Sequence, residues 1–285
     1  SVKSPTCVRA RRRSTTSTRC DRCIGPATSP SFVTCPTRRT GVWVDFAKAQ
    51  AFKLALPANV ARYATEILRA AQTYNVDPFV LAGIMYNESR GGDALSPGKV
   101  VAEKYAGPSG TGDFIPRKPG NAYFKYADPM TGLPPDGLGW GRGLMQVDYG
   151  VHNTWVINNN WRDAQTNINK AAEIFRDALK YFSSAPGAPI AIEQWRVTTG
   201  MLQYGITPWR DKFAGRVFPA TAPDPRPLQG DKLYEAAIAG YNAGYKGPLQ
   251  AVAVGIPAES VTAGQAYVSK FLSLMGPWQA KFRGA

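Results

Sequence analysis

The sequence predicts a mainly α-helical chain. Apolar residues recur at helical spacing in several stretches, start and stop signals bracket them, and strand-type alternation is scarce. The first such stretch is 57–75, where Pro57 suits a first turn and Val60, Tyr63, Ala64, Ile67, Leu68 and Ala71 form one stripe. A second helix opens at Asp77-Pro78, an N-cap residue followed by a first-turn proline. It runs through Phe79, Val80, Ile84 and Met85 to about Arg90, and Gly91-Gly92 end it. Residues 91–139 are rich in Gly and Pro and read as a long loop region with short strands near Ala122–Tyr126. A loop of that length inside a compact domain is usually functional. Helix returns over Trp161–Phe182, with Ala164, Ile168, Ala171, Ala172, Phe175, Ala178, Leu179 and Phe182 on one stripe. Residues 190–204 read as helical, 205–230 as a Pro/Gly-rich connection, and Lys232–Asn242 and Ala263–Leu274 as further helices. No internal repeat is visible.

Composition bounds the class. A length of 285 residues fits one large domain or two modest ones, and an apolar share of 44% is ample for a core. Seven Trp and thirteen Tyr argue against global disorder. The longest apolar runs, such as Phe79–Ile84, fall far short of the ~20 residues that span a bilayer, so no transmembrane helix is expected. The opening residues are polar and basic without an apolar stretch, so no signal peptide is visible in the sequence as it stands.

The net charge of +14 is unevenly spread. Residues 1–40 hold nine basic side chains against the single acid Asp21, and all four cysteines (Cys7, Cys20, Cys23, Cys35) lie there too. The rest of this segment is Ser, Thr and Pro with few large apolar residues, too little to bury a core. We therefore divide the chain into a basic, Cys-containing arm over 1–45, expected to be disordered, and a folded domain over 46–285. Two other readings of the arm stay open. The cysteines could pair as disulfides in any of three connectivities. Alternatively, Cys20 and Cys23 could serve as a zinc-ligand pair, although Cys7 and Cys35 do not form a second one. Such an arm adheres to any polyanion.

Three short constellations carry chemistry. Glu88-Ser89 lies near the end of an apolar helix with Ala82, Ile84 and Met85 as neighbours. Desolvation there favours the neutral carboxylic acid and raises its pKa, as a general acid near neutral pH requires. Gly141-Arg142-Gly143-Leu144-Met145-Gln146-Val147-Asp148 places glycines on both sides of Arg142, which lets backbone approach a ligand closely, and adds an amide and a second carboxylate. Ala239-Gly240-Tyr241-Asn242-Ala243-Gly244 ends an apolar helix in small residues. Taken one at a time, these read better as a solvated helix-end Glu, a Gly-rich turn and a helix C-cap at Gly244 with Tyr241 in the core.

In this order and spacing they resemble the goose-type lysozymes and soluble lytic transglycosylases of glycoside hydrolase family 23, with the nearer likeness to the goose-type branch. The segment AGIMYNESRGG is similar to that family's catalytic helix. GLMQVD followed by His152 matches its next motif, AGYNAG a later one, and Tyr267 in GQAYVSKFL falls where the family has a Tyr in its last helix. The resemblance spans about 57–275. It implies a lysozyme-like helical domain with a deep glycan-binding cleft and a long Gly/Pro-rich loop insertion. It implies cleavage of peptidoglycan at the β-1,4 bond between N-acetylmuramic acid and N-acetylglucosamine, with Glu88 protonating the leaving oxygen. Gln146 and Asn242 are expected to bond the acetamido groups, Tyr241 and Tyr267 to shape the floor near Glu88, and His152 to touch sugar. Ser89 and Met145 belong to the same substrate-binding set, and Trp140 fits either a sugar-stacking or a core role. No metal or cofactor is implied.

The resemblance leaves the second step open. Goose-type lysozymes are thought to use carboxylates across the cleft to position an attacking water. Asp148 matches one, and Asp136, a little upstream in a rearranged likeness of the motif, is the nearest candidate for the other. Lytic transglycosylases lack that pair and let the muramic C6 hydroxyl attack, giving 1,6-anhydro ends. The insertion over 93–135 is longer than goose-type enzymes have, so no role is carried onto it. A basic protein suits anionic cell walls as partner, and the substrate lies outside the cytoplasm. A monomer is expected unless the chain joins a larger assembly. Two rivals of other classes are a non-catalytic wall-binding or phage structural module and a nucleic-acid-binding protein. The body of the chain carries no nucleic-acid motif.

Overall fold

The computed structural model describes residues 46–95, 110–193 and 216–284. The arm over 1–45 with its four cysteines, part of the 91–139 loop and most of the helix expected over 190–204 lie outside these residues. The described part is mainly helical, with nine α-helices: α1 (Phe46–Ala55), α2 (Ala58–Ala61), α3 (Ala64–Tyr74), α4 (Pro78–Ser89), α5 (Asn153–Asn158), α6 (Ala164–Phe182), α7 (Gly230–Ala243), α8 (Lys246–Ala253) and α9 (Tyr267–Arg283). No helix among the described residues is long and apolar enough to cross a membrane.

α4 is the centre of the core. Phe79 through Met85 are buried without a break, and a helix that is apolar on every side has no solvent face. Asp77 caps it by accepting from Phe79 N–H at 2.7 Å, with Pro78 in the first turn. Its end is sharper than the sequence suggests. Arg90, a non-glycine residue, takes the left-handed cap (φ 53°) ahead of Gly91 and Gly92. α3 and α6 pack together on one side of the core, α7 lies against α6, and α9 lies against α4. α6 shows the expected one-sided stripe, with Ile168, Ala171, Ala172, Phe175, Ala178 and Phe182 buried. It begins at Ala164 rather than Trp161 because Asp163 accepts from Thr166 N–H and caps it there.

Other boundaries also differ from expectation. The 57–75 stretch is two helices, because the chain turns at Arg62–Tyr63. α2 thereby reaches the end of α4. Asn59 Nδ2 donates to Arg90 O at 2.6 Å, and Arg62 bonds Gly91 O and pairs with Asp93. The Ala-rich α1 was not expected; it anchors through Phe52, edge-on to Phe79 at 5.0 Å. Residues 122–126 are not a strand. Asn121 Oδ1 accepts from Tyr123 N–H, a turn that leads into a single 3-10 turn over Phe124–Tyr126. Ile190–Ala191 (β4) is a strand and not a helix start. It follows Pro189 and pairs antiparallel with Thr221–Ala222 (β5). α9 continues to Arg283, beyond the expected end at Leu274.

The part that positions the site is a small antiparallel sheet in the order β1 (Thr111–Gly112), β2 (Gly141–Arg142), β3 (Val147–Asp148). Gly112 faces Gly141, which faces Asp148. Residues 113–140 therefore form an insertion between neighbouring strands β1 and β2. It packs Tyr123, Tyr126, Leu133 and Leu138 onto a satellite core of Trp140, Tyr149, Val156 and Trp161.

The α4–α9 contact rests on one glycine. A methyl group at Gly83 would stand 2.5 Å from the Phe271 ring. Gly83→Ala should thus lose more to overpacking (~1–3 kcal/mol) than the ~1 kcal/mol it gains in helix propensity. Gly276 on α9 meets nothing within 4 Å, and Gly276→Ala should gain about 1 kcal/mol. Urea midpoints should move in opposite directions for the two variants.

Candidate active site

Glu88 sits in the last turn of α4, where its partly buried carboxyl accepts a hydrogen bond from Tyr267 Oη at 2.5 Å. Burial pushes its pKa from the ordinary carboxylate value up to about 7, and the Tyr267 hydrogen bond pulls the other way. The C-terminal end of a helix also disfavours a negative charge. Tyr267 opens α9 and is 8% exposed. It reaches Glu88 from Phe271's side of that helix, four residues before the ring that rests on Gly83. Burial, then the charge of Glu88, hold the Tyr267 and Tyr241 phenols well above their ordinary range, so both remain neutral donors. Tyr241, on the last turn of α7, donates to Met145 O at 2.8 Å.

The GLMQVD segment is fastened to this group from two directions. Ser89 Oγ donates to Leu144 O at 2.6 Å and accepts from Gly92 N–H at 3.0 Å. Ser89 is fully buried, so it ties the catalytic-helix candidate to the β2–β3 turn and presents nothing to a ligand. Asn167 on α6 takes both edges of the same turn. Its Nδ2 donates to Arg142 O at 3.0 Å, and its Oδ1 accepts from Met145 N–H at 2.8 Å. Met145 likewise turns its side chain into the main core. Asn167 escapes a motif reading, although a polar residue next to Ile168 on the buried stripe of α6 is a visible signal.

The glycines around Arg142 serve the protein's own side chains. A methyl group at Gly143 (φ 70°) would lie 2.4 Å from Asn167 Nδ2. Methyls at Gly112 or Gly141 would lie 2.3 or 2.2 Å from Gln146 Oε1. Gln146 itself is held at a positive φ of 48°, with Nε2 donating to Gly143 O. Arg142 is fully buried, with its guanidinium 5.0 Å from the Tyr149 ring and 5.5 Å from that of Trp161.

Asp136, expected to accompany Asp148, is instead the counterion of Arg142 at 3.0 Å, with its side chain 45% exposed. The carboxylate that meets Asp148 is Asp113, immediately after β1. One nitrogen of Arg117 lies 2.9 Å from Asp113 Oδ2 and 3.3 Å from Asp148 Oδ2. Asp113 is left-handed at φ 54°. Asp148 Oδ1 accepts from Val151 N–H. Burial raises the pKa of both carboxyls, while Arg117 lowers both; Asp148 raises that of Asp113. Asp113 lies in the insertion, onto which no role was carried.

His152 starts α5 and donates its backbone N–H to Asp148 O. Burial, with Lys170 adding to it and Glu173 opposing, brings its pKa down to about 4, so the imidazole is neutral above that. Asn242 follows Tyr241 and is partly buried. Trp140 is fully buried and edge-on to Tyr149, which is the core role and not a sugar platform. No cluster of three or more His, Cys, Asp or Glu among the described residues has metal-site geometry. Two surface concavities, one lined by Glu235, Pro257 and Val268 and one by Arg69, Thr73 and Asn169, do not include Glu88.

The chain matches no protein-family model and no curated protein. What the geometry brings together is thus Glu88, Tyr267, Tyr241 and the β2–β3 turn in one group. Asp113, Arg117 and Asp148 form a second group at the edge of that turn.

A carboxyl with a raised folded-state pKa favours folding least when it must ionise. Below the unfolded value of 4.5, Glu88 is protonated in both states and costs nothing. As the pH rises from 4.5 to about 7, the unfolded chain ionises while the folded one still holds the proton, and stability is lost. Glu88→Gln should therefore melt with the wild type near pH 4 and at a higher temperature near pH 8, by calorimetry.

Proposed function

We propose that the chain is a peptidoglycan muramidase of the goose-type lysozyme kind, cleaving the β-1,4 bond between N-acetylmuramic acid and N-acetylglucosamine. The observation that carries the reading is Glu88 itself, a desolvated carboxyl near neutrality hydrogen-bonded to a neutral tyrosine. In this reading a lysozyme-like fold leads the glycan strand past the end of α4, outside the cytoplasm. Below about pH 7 Glu88 holds the proton that a glycosidic leaving oxygen needs. Bond cleavage then leaves an oxocarbenium-like centre. Asp148, with Asp113 in place of Asp136, positions the water that attacks it. Gln146, Asn242 and His152 contact the sugars, and the neutral His152 offers a hydrogen bond without adding charge. Tyr241 and Tyr267 hold Glu88 and the Met145 backbone in register. The proton comes from a side chain, so the reading calls for no cofactor.

A lytic transglycosylase is the second reading, favoured by one observation. Both aspartates are already paired with Arg117, which blunts them as bases and leaves Glu88 to act as acid and then base. Product chemistry separates the two. Purified peptidoglycan should yield reducing muramic ends by mass spectrometry; ends lighter by one water would move the assignment to the transglycosylase. Glu88→Gln should reduce turnover at least ~100-fold while binding persists, because it removes the proton and keeps the shape. Full activity in that variant would overturn both readings. Asp148→Asn should slow the reaction only where water is the nucleophile.

A further inference from the structure

We infer that Arg117, carried by the insertion between β1 and β2, is the positioning residue that holds Asp113 and Asp148 together as an ionised pair for the hydrolytic step. The inference rests on the hydrolytic reading above.

Two carboxylates that share a site repel, and one of them ordinarily keeps a proton. Here a single guanidinium nitrogen lies between them, at 2.9 Å from Asp113 Oδ2 and 3.3 Å from Asp148 Oδ2. The guanidinium is placed by burial and two contacts. Arg117 is 6% exposed, its guanidinium carbon lies 4.9 Å from the Trp140 ring centre, and its backbone N–H donates to Gly132 O at 2.7 Å. Gly132 has a positive φ of 69°, and a methyl there would stand 2.6 Å from Arg117 O. The chain thus approaches itself closely on both sides of the arginine. A planar fork buried against an indole holds a fixed direction in a way a flexible ammonium does not.

The other groups facing the pair are few. Arg142, from β2, acts on Asp148 in the same sense as Arg117. The backbone N–H groups of Ile115, Gly150 and Val151 donate to the two carboxyls. Burial opposes all of these by favouring the protonated forms. For the pair to position a water while Glu88 keeps its proton, the cations must outweigh burial and let both aspartates ionise first. That order is what an acid and a water-positioning pair need at one time. Without Arg117, repulsion and burial are opposed, among the described residues, by the backbone N–H groups and, at Asp148, by Arg142.

The test is the pH profile of wall clearing together with carbon NMR titration of the carboxyl groups in labelled full-length protein. In the wild type, Asp113 and Asp148 should both titrate below Glu88. In Arg117→Gln the acid limb of the profile and both aspartate titrations should move up by about one pH unit or more. The alkaline limb, set by Glu88, should stay in place. Arg117→Lys should restore the titrations but only part of kcat, because charge returns without the fork. A merely structural arginine would lower activity equally at every pH and leave both limbs where they are, which would overturn the inference. So would a wild type in which either aspartate titrates at or above Glu88, a result that stands even if Arg117→Gln does not fold. Anhydro ends from the wild type would remove the hydrolytic reading and this inference with it. Unmoved limbs with reducing ends would remove the inference alone.

Discussion

A carboxyl in the last turn of a helix that is apolar all round cannot easily ionise, and the site depends on that constraint. α4 supplies seven consecutive buried residues, Phe79 to Met85, shortly before Glu88, so the side chain leaves the helix at the edge of the core. The helix end adds a like partial charge. Among the described residues, burial pushes the Glu88 pKa up and the Tyr267 hydroxyl pulls it down. Tyr267 reaches it only because α9 lies close to α4, and that approach requires a residue without a side chain at Gly83. A packing contact roughly one turn away thus helps bring the tyrosine to the candidate acid.

The β2–β3 turn is held with the same economy of means. Ser89, the neighbour of Glu88, binds the turn at Leu144; Tyr241 binds it at Met145; Asn167 binds it at Arg142 and Met145. Three different helices therefore place the same few backbone atoms. Buried polar side chains that satisfy backbone groups cost little, whereas leaving those groups unpaired costs about 1–3 kcal/mol each. This explains why side chains that look available to a ligand in the motif, Ser89 and Met145, are occupied in holding it.

Much of the helical order was legible because strong local signals coincide with burial. Asp77-Pro78 does start a helix, the α6 stripe does face the core, and Gly244 does end α7. The misreadings fall where tertiary contacts override periodicity. The break at Arg62–Tyr63 serves bonds to the end of α4, and Ile190 pairs with a strand more than thirty residues away. Glu88, Tyr241 and Tyr267 come together as their motifs suggested. Asp113 was hidden because its partner in space is set by β1–β2 pairing, with the whole 113–140 insertion between them in sequence. Asp136 was the nearest carboxylate to the place the resemblance implies, yet a buried arginine takes it, since the fully buried Arg142 needs a counterion.

The two candidate groups differ in where the cations are. Among the described residues, no cation is a cause of the Glu88 shift; Asp113 has Arg117, and Asp148 has Arg117 and Arg142. All three carboxyls are raised by burial, so burial alone does not distinguish Glu88 from the two aspartates. What separates them is charge supplied from outside the helical core, by the sheet and by the insertion behind it. Pushing neighbouring titratable groups apart is how one scaffold holds a proton at one atom and withholds it from another. The insertion thus sets a cation between the two aspartates through one side chain, Arg117. The aromatic satellite core beneath it, with Trp140 at its centre, keeps that side chain in place.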